Sequence, residues 1–553
     1  MNTSNFTVEA NACLKESIAF NNQQTIYLAD QIYSLDTSVG SGKTRAAIRY
    51  MADGYMSRTN FLYVAPTINL VNQTDADLRA TIQLAQGHTR NIHLIHSENN
   101  GGESVIADTL QYINQSEANI GYVIILTTKT FLNILSMIQN KAAWNVILDE
   151  AFEPISFETW YLGTDEPEVS RNYFDNYFDI LEDDNNLVVP KEDKKQVVLD
   201  IAAGRWSKVG WTRDAGVGIT KFAPIVINKS LRTEFVKQSG NELIFASYAT
   251  PKEFSKFNEV VILSALFKQS LLYYLWRSFS IDFQDHSFFD QRQVDDLHKL
   301  QGSNLSISHL LHEKDHASKY NLQRNYKTGK PKETNVGHRV IDKLLDTISK
   351  VYAGEKCLYT TNKWVNNKAV NLGEGFLQIP VYSHGINKYR EYTIVAVLSV
   401  TNPDPIQLKW LTDRFSHIGI TGEDIYNAYR IHSIYQAIGR SAIRNKYNDK
   451  PIDVVVIGAK DAQFLHNLFK GSTYKGQMGD LKCISDNWNN RPKHSSPKVT
   501  NHPEYLILRK EGQRLAKKKL RNKASQADLE RSQEIIESID KLKAELKVVP
   551  KRD

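Results

Sequence analysis

Short apolar runs and amphipathic stretches alternate along most of this chain. Ile32-Tyr-Ser-Leu-Asp36 is short, alternating and β-prone, and Arg45-Ala-Ala-Ile-Arg-Tyr-Met51 contains helix formers with no Gly or Pro, so a strand leads into a helix. Phe61–Ala65, Ile92–Ile95, Val123–Thr127 and Asn145–Asp149 read as further strands. Helices are expected between them over Leu70–Leu84, Val105–Asn114 and Phe131–Gln139. Near-continuous apolar strands separated by helices predict a parallel sheet covered on both faces, and such sheets bind ligands at the C-terminal ends of their strands. Before this block, Phe6 to Phe20 reads as a weakly amphipathic helix.

The pattern then breaks for about a hundred residues, too many for a loop. Residues 153–240 are therefore expected to form an inserted subdomain. Tyr173 to Asn185 is acidic and aromatic-laced, and Trp160, Trp206 and Trp211 fall in the same region. These aromatics form either a small core or platforms for stacked bases. Leu243–Ser247 and Val260–Ser264 are expected to rejoin the first sheet. Gln291–Lys332 is polar and basic and reads as a linker. From Val340 the alternation restarts, with strands at Lys356–Thr360, Tyr392–Leu398 and Ile452–Ile457. The expected organisation is a first domain over 1–285, a linker over 286–335, a second domain over 336–480 and an extension over 481–553.

Composition narrows the class. The 553 residues are 41% hydrophobic and carry a net charge of +6, enough for real cores and compatible with a polyanionic partner. Cys13, Cys357 and Cys483 are far apart, which excludes a disulfide framework, a zinc knuckle and a four-cysteine iron–sulfur cluster. No signal-peptide pattern and no membrane-length apolar run occur, so a cytoplasmic protein without membrane contact is expected. Arg509–Lys523 holds eight Lys or Arg against one Asp or Glu. Gln526–Leu546 reads as a helix with Leu529, Ile536, Ile539, Leu542 and Leu546 near heptad spacing. The tail is either a basic arm with a helix for a protein partner or a solvated helix packed on the body.

Chemistry concentrates at three places. Thr37-Ser-Val-Gly-Ser-Gly-Lys-Thr44 joins the first strand to the first helix. Gly40, Ser41 and Gly42 let backbone N–H groups turn inward around phosphate, Lys43 can reach the β- and γ-phosphates, and the Thr44 hydroxyl can ligate Mg²⁺. This is a Walker A loop with Thr37 in place of the usual first Gly. Val146-Ile-Leu-Asp149-Glu150 is an apolar strand ending in two acids, as in a Walker B motif. Asp149 would hold Mg²⁺ and Glu150 would polarise the attacking water. ATP and Mg²⁺ are the expected ligands.

The order of motifs resembles that of the superfamily 2 helicases and translocases. Asp149-Glu150-Ala151-Phe152 looks like their motif II, and Pro66-Thr-Ile-Asn-Leu-Val-Asn-Gln73 matches the P-T-x-x-L-x-x-Q form of motif Ia. Thr127-Thr128-Lys129 resembles motif Ib. The resemblance gives Pro66, Thr67, Thr128 and Lys129 a grip on a nucleic-acid backbone, although Pro66-Thr67 could also be only a helix-starting proline and cap. Ser264-Ala265-Leu266 resembles motif III, which couples phosphate sensing to the nucleic acid, with Leu266 replacing the usual Thr; Ser247-Tyr-Ala-Thr250 is its rival. Thr360-Thr361-Asn362 resembles motif IV and adds Thr361 to the nucleic-acid contacts. Motif V is expected around His384–Asn387 and Ser399–Asn402, with no single residue assigned.

Gln436-Ala-Ile-Gly-Arg440-Ser-Ala-Ile-Arg444 looks like motif VI, whose arginines reach across a cleft to the γ-phosphate. The arginines stand four apart rather than three, and one helical face could carry both. The resemblance implies two tandem RecA-like α/β domains and an ATP-driven motor on nucleic acid, with single-stranded DNA the leading partner and RNA the competing one, serving replication, recombination or repair. A packaging or restriction-type motor and a non-catalytic clamp are the other readings. The first should show a nuclease cluster after residue 480, and the second should have lost Lys43, Glu150 or the arginines.

Overall fold

The computed structural model describes residues 32–484 except 54–55, 85–89, 97–104, 116–119, 163–170, 172–173, 206–216, 287–300, 336, 366–371, 382–388 and 446, together with 508, 511, 515 and 525–547. The helix expected at Phe6–Phe20, the His384–Asn387 segment, Tyr173, Trp206 and Trp211 lie outside the described residues.

The first sheet is built from β1 (Ile32–Asp36), α1 (Lys43–Ala52), β2 (Asn60–Ala65), α2 (Ile68–Leu84), β3 (Asn91–Ile95), α3 (Val105–Gln115), β4 (Tyr122–Thr127), α4 (Thr128–Ile134) and β5 (Trp144–Asp149). After an excursion the chain returns as β11 (Glu259–Ser264), and all six strands are parallel in the order β1-β11-β5-β2-β4-β3. Strands β2 and β5 are buried along their whole length, as a sheet with helices on both faces requires. The helix expected over Phe131–Gln139 starts earlier and ends sooner, because Thr127 caps it by accepting the Thr130 N–H.

The excursion is a five-stranded antiparallel sheet. It contains β6 (Ile155–Tyr161), β7 (Phe178–Leu181), β8 (Leu187–Pro190), α5 (Lys195–Ala202), α6 (Val217–Val226), β9 (Leu231–Ser239) and β10 (Glu242–Ala249), in the order β6-β10-β9-β8-β7. Trp160, Phe174, Phe178, Phe222 and Phe245 pack together as its core, so the aromatics described here are core rather than platforms. One expectation is corrected. Leu243–Ser247 does not rejoin the first sheet but pairs with β6 and β9. Leu243 and Phe245 face the insert core while Tyr248 faces the first-domain core, so β10 is apolar on both sides and mimics a parallel strand in sequence. Ser247 bonds Thr233 inside this sheet at 2.9 Å, which removes it as the rival motif III. Only β11 (Glu259–Ser264) rejoins the first sheet, followed by α7 (Leu271–Arg277).

The second sheet comprises β12 (Leu305–His309), α8 (Lys319–Leu322), α9 (Val340–Val351), β13 (Cys357–Thr361), β14 (Phe376–Gln378), β15 (Ile394–Leu398), α10 (Pro405–Phe415), α11 (Gly422–Ile438), β16 (Ile452–Val456), α12 (Ala459–Leu468) and β17 (Thr473–Gln477). Its strands are all parallel, in the order β14-β13-β15-β16-β12-β17. The linker expectation is also corrected here. Leu305 and Ile307 are buried in the second core, so β12 belongs to this sheet although polar residues surround it in sequence. Each parallel sheet is flanked by helices as an α/β layer.

Beyond residue 483 the chain forms a separate unit. Its described helix, α13 (Gln526–Lys547), starts with a reciprocal cap in which Ser525 Oγ accepts the Asp528 N–H and Asp528 Oδ2 accepts the Ser525 N–H. Ile536 is half exposed on it. Most of Arg509–Lys523 and the side chains of Leu529, Ile539, Leu542 and Leu546 lie outside the described residues.

Candidate functional site

The turn after β1 places Gly40 at φ 75° and Gly42 at φ 97°, left-handed values that a side chain resists. This geometry winds the loop so that α1 begins at Lys43. Ser41 holds the turn through its hydroxyl, 2.8 Å from Thr37 Oγ1. Lys43 is buried, and its ammonium donates to Ser38 O at 2.9 Å and Thr37 O at 3.3 Å. Burial pulls its pKa down, while the charges of Glu150 and Asp149 oppose that.

Two strands along, the end of β5 supplies the acids. Thr44 Oγ1 donates to Asp149 Oδ2 at 2.7 Å, so the loop hydroxyl and the Walker B carboxylate already share one point. The Tyr63 hydroxyl donates to the same oxygen from β2, and Thr74 Oγ1 lies 3.3 Å behind it. Burial and the neighbouring Glu150 raise the Asp149 pKa to about 6, against the hydrogen bonds from Tyr63 and Thr44. Hard oxygen donors at this spacing suit Mg²⁺, and Thr44 and Asp149 are the residues that would hold it. Among the described residues no cluster of three or more His, Cys, Asp or Glu offers an alternative metal site.

Glu150 turns out of the strand with φ 92°, a conformation uncommon for any residue but Gly. Its N–H is held by Leu263 O at 2.8 Å. The side chain then meets both neighbouring motifs, receiving Ser264 Oγ and Gln436 Nε2 at 3.4 Å each. Gln436 comes from α11 of the second domain and is buried.

Past Gln436 the helix ends at Ile438, which corrects the expected single helical face for the arginines. Arg440 sits in the turn and Arg444 in a one-turn 3₁₀ segment, Ala442–Arg444. Both feel the charge of Glu150. Burial and Arg444 lower the Arg440 pKa to about 10, opposed by Glu150. Burial lowers that of Arg444, opposed by Glu150 and Asp149.

The apolar seam beside this cleft accounts for the altered motif III. Val39, Ala265 and Leu266 pack in one cluster with Ile434, Tyr435 and Ile438 of α11. A leucine at 266 trades a hydroxyl for a contact with the second domain. Sequence reasoning passed over Asp36, whose carboxylate accepts the N–H groups of Phe267 at 2.9 Å and Lys268 at 3.1 Å and so pins the segment after Ser264 to the start of the phosphate loop. It also passed over Tyr63, a lone phenol in an apolar strand, and over Tyr435 and His432 on α11. Burial depresses the His432 pKa, against the charge of Glu150.

The expected nucleic-acid contacts lie at or just past the C-terminal ends of β2, β4 and β13. Thr67 Oγ1 accepts the Leu70 N–H at 3.3 Å at the start of α2, beside a half-buried Pro66. Thr128 opens α4 and Lys129 is exposed. Thr361 ends β13 almost buried, with Gln378 Nε2 donating to its hydroxyl at 2.9 Å.

The fold and this site define a P-loop protein with two tandem RecA-like domains. Residues 20–153 match the family model for DEAD/DEAH box helicases. Among solved structures the chain is similar to S. cerevisiae Dbp5 bound to RNA and ADP BeF3, at 10% identity and TM-score 0.34, covering 85% of this chain and 90% of that one. It is also similar to Mss116p bound to ssRNA and AMP-PNP, at 11% identity and TM-score 0.32, over 89% of this chain and 78% of that one. RecG bound to a three-way DNA junction matches at 12% identity and TM-score 0.31, over 85% of this chain and 45% of that one. No curated protein matches the sequence. No described helix is long and apolar enough to cross a membrane.

Proposed function

We propose that this protein is an ATP-driven nucleic-acid helicase or translocase. The observation that carries the proposal is one cleft holding Lys43, Thr44, Asp149 and Glu150 from the first sheet against Gln436, Arg440 and Arg444 from the second. The loop amides and Lys43 bind the phosphates of ATP, with the ammonium leaving the Ser38 and Thr37 carbonyls to do so. Thr44 and Asp149 hold Mg²⁺, which would neutralise the phosphate oxygens. Glu150 orients and deprotonates the attacking water, and Gln436 and Ser264 fix its carboxylate. Arg440 and Arg444 together supply the transition-state charge, a role worth roughly 10³–10⁵ in rate. Because the finger and the phosphate loop sit on different domains, ATP binding favours closure and hydrolysis releases it.

The track runs across the strand ends of both sheets, over Pro66, Thr67, Thr128, Lys129 and Thr361. Single-stranded DNA in replication, recombination or repair is the track we favour, with RNA as the alternative. ATP turnover by wild type and Lys43→Ala decides, measured without polymer and with single-stranded DNA, duplex DNA and single-stranded RNA. Stimulation by one polymer, lost in the variant, is expected. Turnover unaffected by Lys43→Ala, or indifferent to every polymer, overturns the reading.

A further inference from the structure

Connections between a strand and the following helix in α/β domains run to about six residues. The stretch between β12 and α9, residues 310–339, holds only the four-residue α8, and it is built rather than slack. Asn325 is its hub. Its Oδ1 accepts the N–H groups of Lys327 and Thr328 at 2.9 Å each, and its Nδ2 donates to Glu333 Oε2 at 2.8 Å. The Asn325 N–H reaches Lys330 O at 2.9 Å, and the Tyr326 N–H reaches His338 O at 3.0 Å. Arg324 is fully buried, donates to Gly329 O at 2.6 Å and lies 4.4 Å from the Tyr320 ring centre.

This framework holds charge outward. Residues 312–339 contain seven Lys or Arg against three Asp or Glu; of the seven, Arg324 and Arg339 are buried, the latter paired with Asp342. Two of the acids are turned to internal work: Glu333 on Asn325, and buried Asp315 accepting from the Cys483 thiol at 3.6 Å. Lys314, Lys319, Lys327, Lys330 and Lys332 are exposed. Tyr320 is 46% exposed and backed by the Arg324 guanidinium, the arrangement that presents a rigid aromatic face.

The loop also stands at a defined place. Asn402 Nδ2 donates to Ala317 O at 2.8 Å, tying the loop to the segment after β15. That segment is tied in turn to Asn362, whose side chain exchanges bonds of 2.8 and 2.9 Å with the Val400 backbone. The loop therefore borders the strand ends that carry Thr361.

We propose that residues 312–339 form a second-domain grip on single-stranded nucleic acid, with Lys327, Lys330 and Lys332 on consecutive phosphates and a base stacked on Tyr320. The inference rests on the motor reading above and adds a contact that the helicase-like motifs do not contain. Lysines on a rigid loop make salt-dependent, sequence-independent contacts, and an aromatic face accepts any base.

The test is fluorescence anisotropy of labelled oligothymidylate and oligouridylate over a NaCl series, using the full chain. For single strands each neutralised phosphate contributes about 0.7 to the slope of log affinity against log salt, so the K327A/K330A/K332A triple variant should lose about 2 from the slope. Tyr320→Ala should weaken binding about tenfold at every salt with the slope kept. ATP turnover without polymer should be unchanged in both, which shows that they fold. An unaltered slope in the triple variant overturns the proposal, and so does an acidic protein competing equally well with the oligonucleotide. Loss of turnover in Lys43→Ala alongside an unaltered slope would sink the grip and leave the motor standing.

Discussion

The backbone N–H of Val39 donates to the hydroxyl of Tyr435 across 2.9 Å, a bond from the loop after β1 to α11, the helix that leads into the arginine turn of the other sheet. Both groups are buried where the two sheets meet, so the bond belongs to the closed arrangement. Tyr435→Phe strands that amide without an acceptor, a cost of about 1–3 kcal/mol on the closed form. Polymer-stimulated kcat should fall roughly tenfold, while the affinity of the first domain for a fluorescent nucleotide stays the same. Stopped-flow binding beside steady-state turnover separates the two effects.

Gly439 is the close-approach point of the same seam. A Cβ placed there would sit 2.5 Å from Val39 Cγ2, which real contacts do not tolerate. Gly439→Ala should therefore hold the cleft open and depress kcat. Val39→Ala in the same chain removes the colliding methyls and should restore much of the loss. Turnover of the single and double variants reads this directly, and no recovery in the double variant would place the defect elsewhere.

The insert sheet is fastened to the second domain through Arg414 on α10. Its guanidinium donates to Glu234 at 3.2 and 3.3 Å and to the Tyr248 hydroxyl at 2.6 Å, and it lies 4.9 Å from the Tyr248 ring centre. Glu234 is almost wholly buried and also takes Arg232 at 2.8 Å. Arg414→Leu leaves that carboxylate short of a partner and should cost about 3 kcal/mol. Adding Glu234→Gln should recover part of it. The midpoint of thermal unfolding in the two variants and the wild type gives the comparison.

Cys357 lies fully buried in β13, and burial pushes its thiol pKa up to about 12. The thiolate is the reactive form, so an alkylating agent at neutral pH should leave this residue unmodified in the folded chain and label it once denaturant is added. Peptide mass spectrometry after a timed pulse reads the site. Fast labelling of Cys357 under native conditions would mean that the second sheet opens readily.

Local signals carried far in this chain. Gly40 and Gly42 announce a loop that needs positive φ, and the apolar run into Asp149-Glu150 announces a strand end carrying acids. Spacing along one chain was enough to pair them, because both features depend on a few consecutive residues. The reading failed where a signal was ambiguous in two dimensions. Strand β10 is apolar on both faces, like a buried parallel strand, and only its pairing with β6 and β9 shows which sheet it serves. Five residues of β12 were too short a signal inside a basic stretch.

The sequence by itself determined that phosphate chemistry is available here and which side chains could perform it, since residue type and spacing set donors, charges and backbone freedom. Tertiary structure decided which of them meet. It brought Gln436 onto Glu150 from 286 residues away and put Leu266 into the second-domain seam. It also ended α11 before the arginines, so that a turn rather than a helix face aims them. Contacts of that range depend on how two sheets close on one another, and no local pattern of residues encodes that distance.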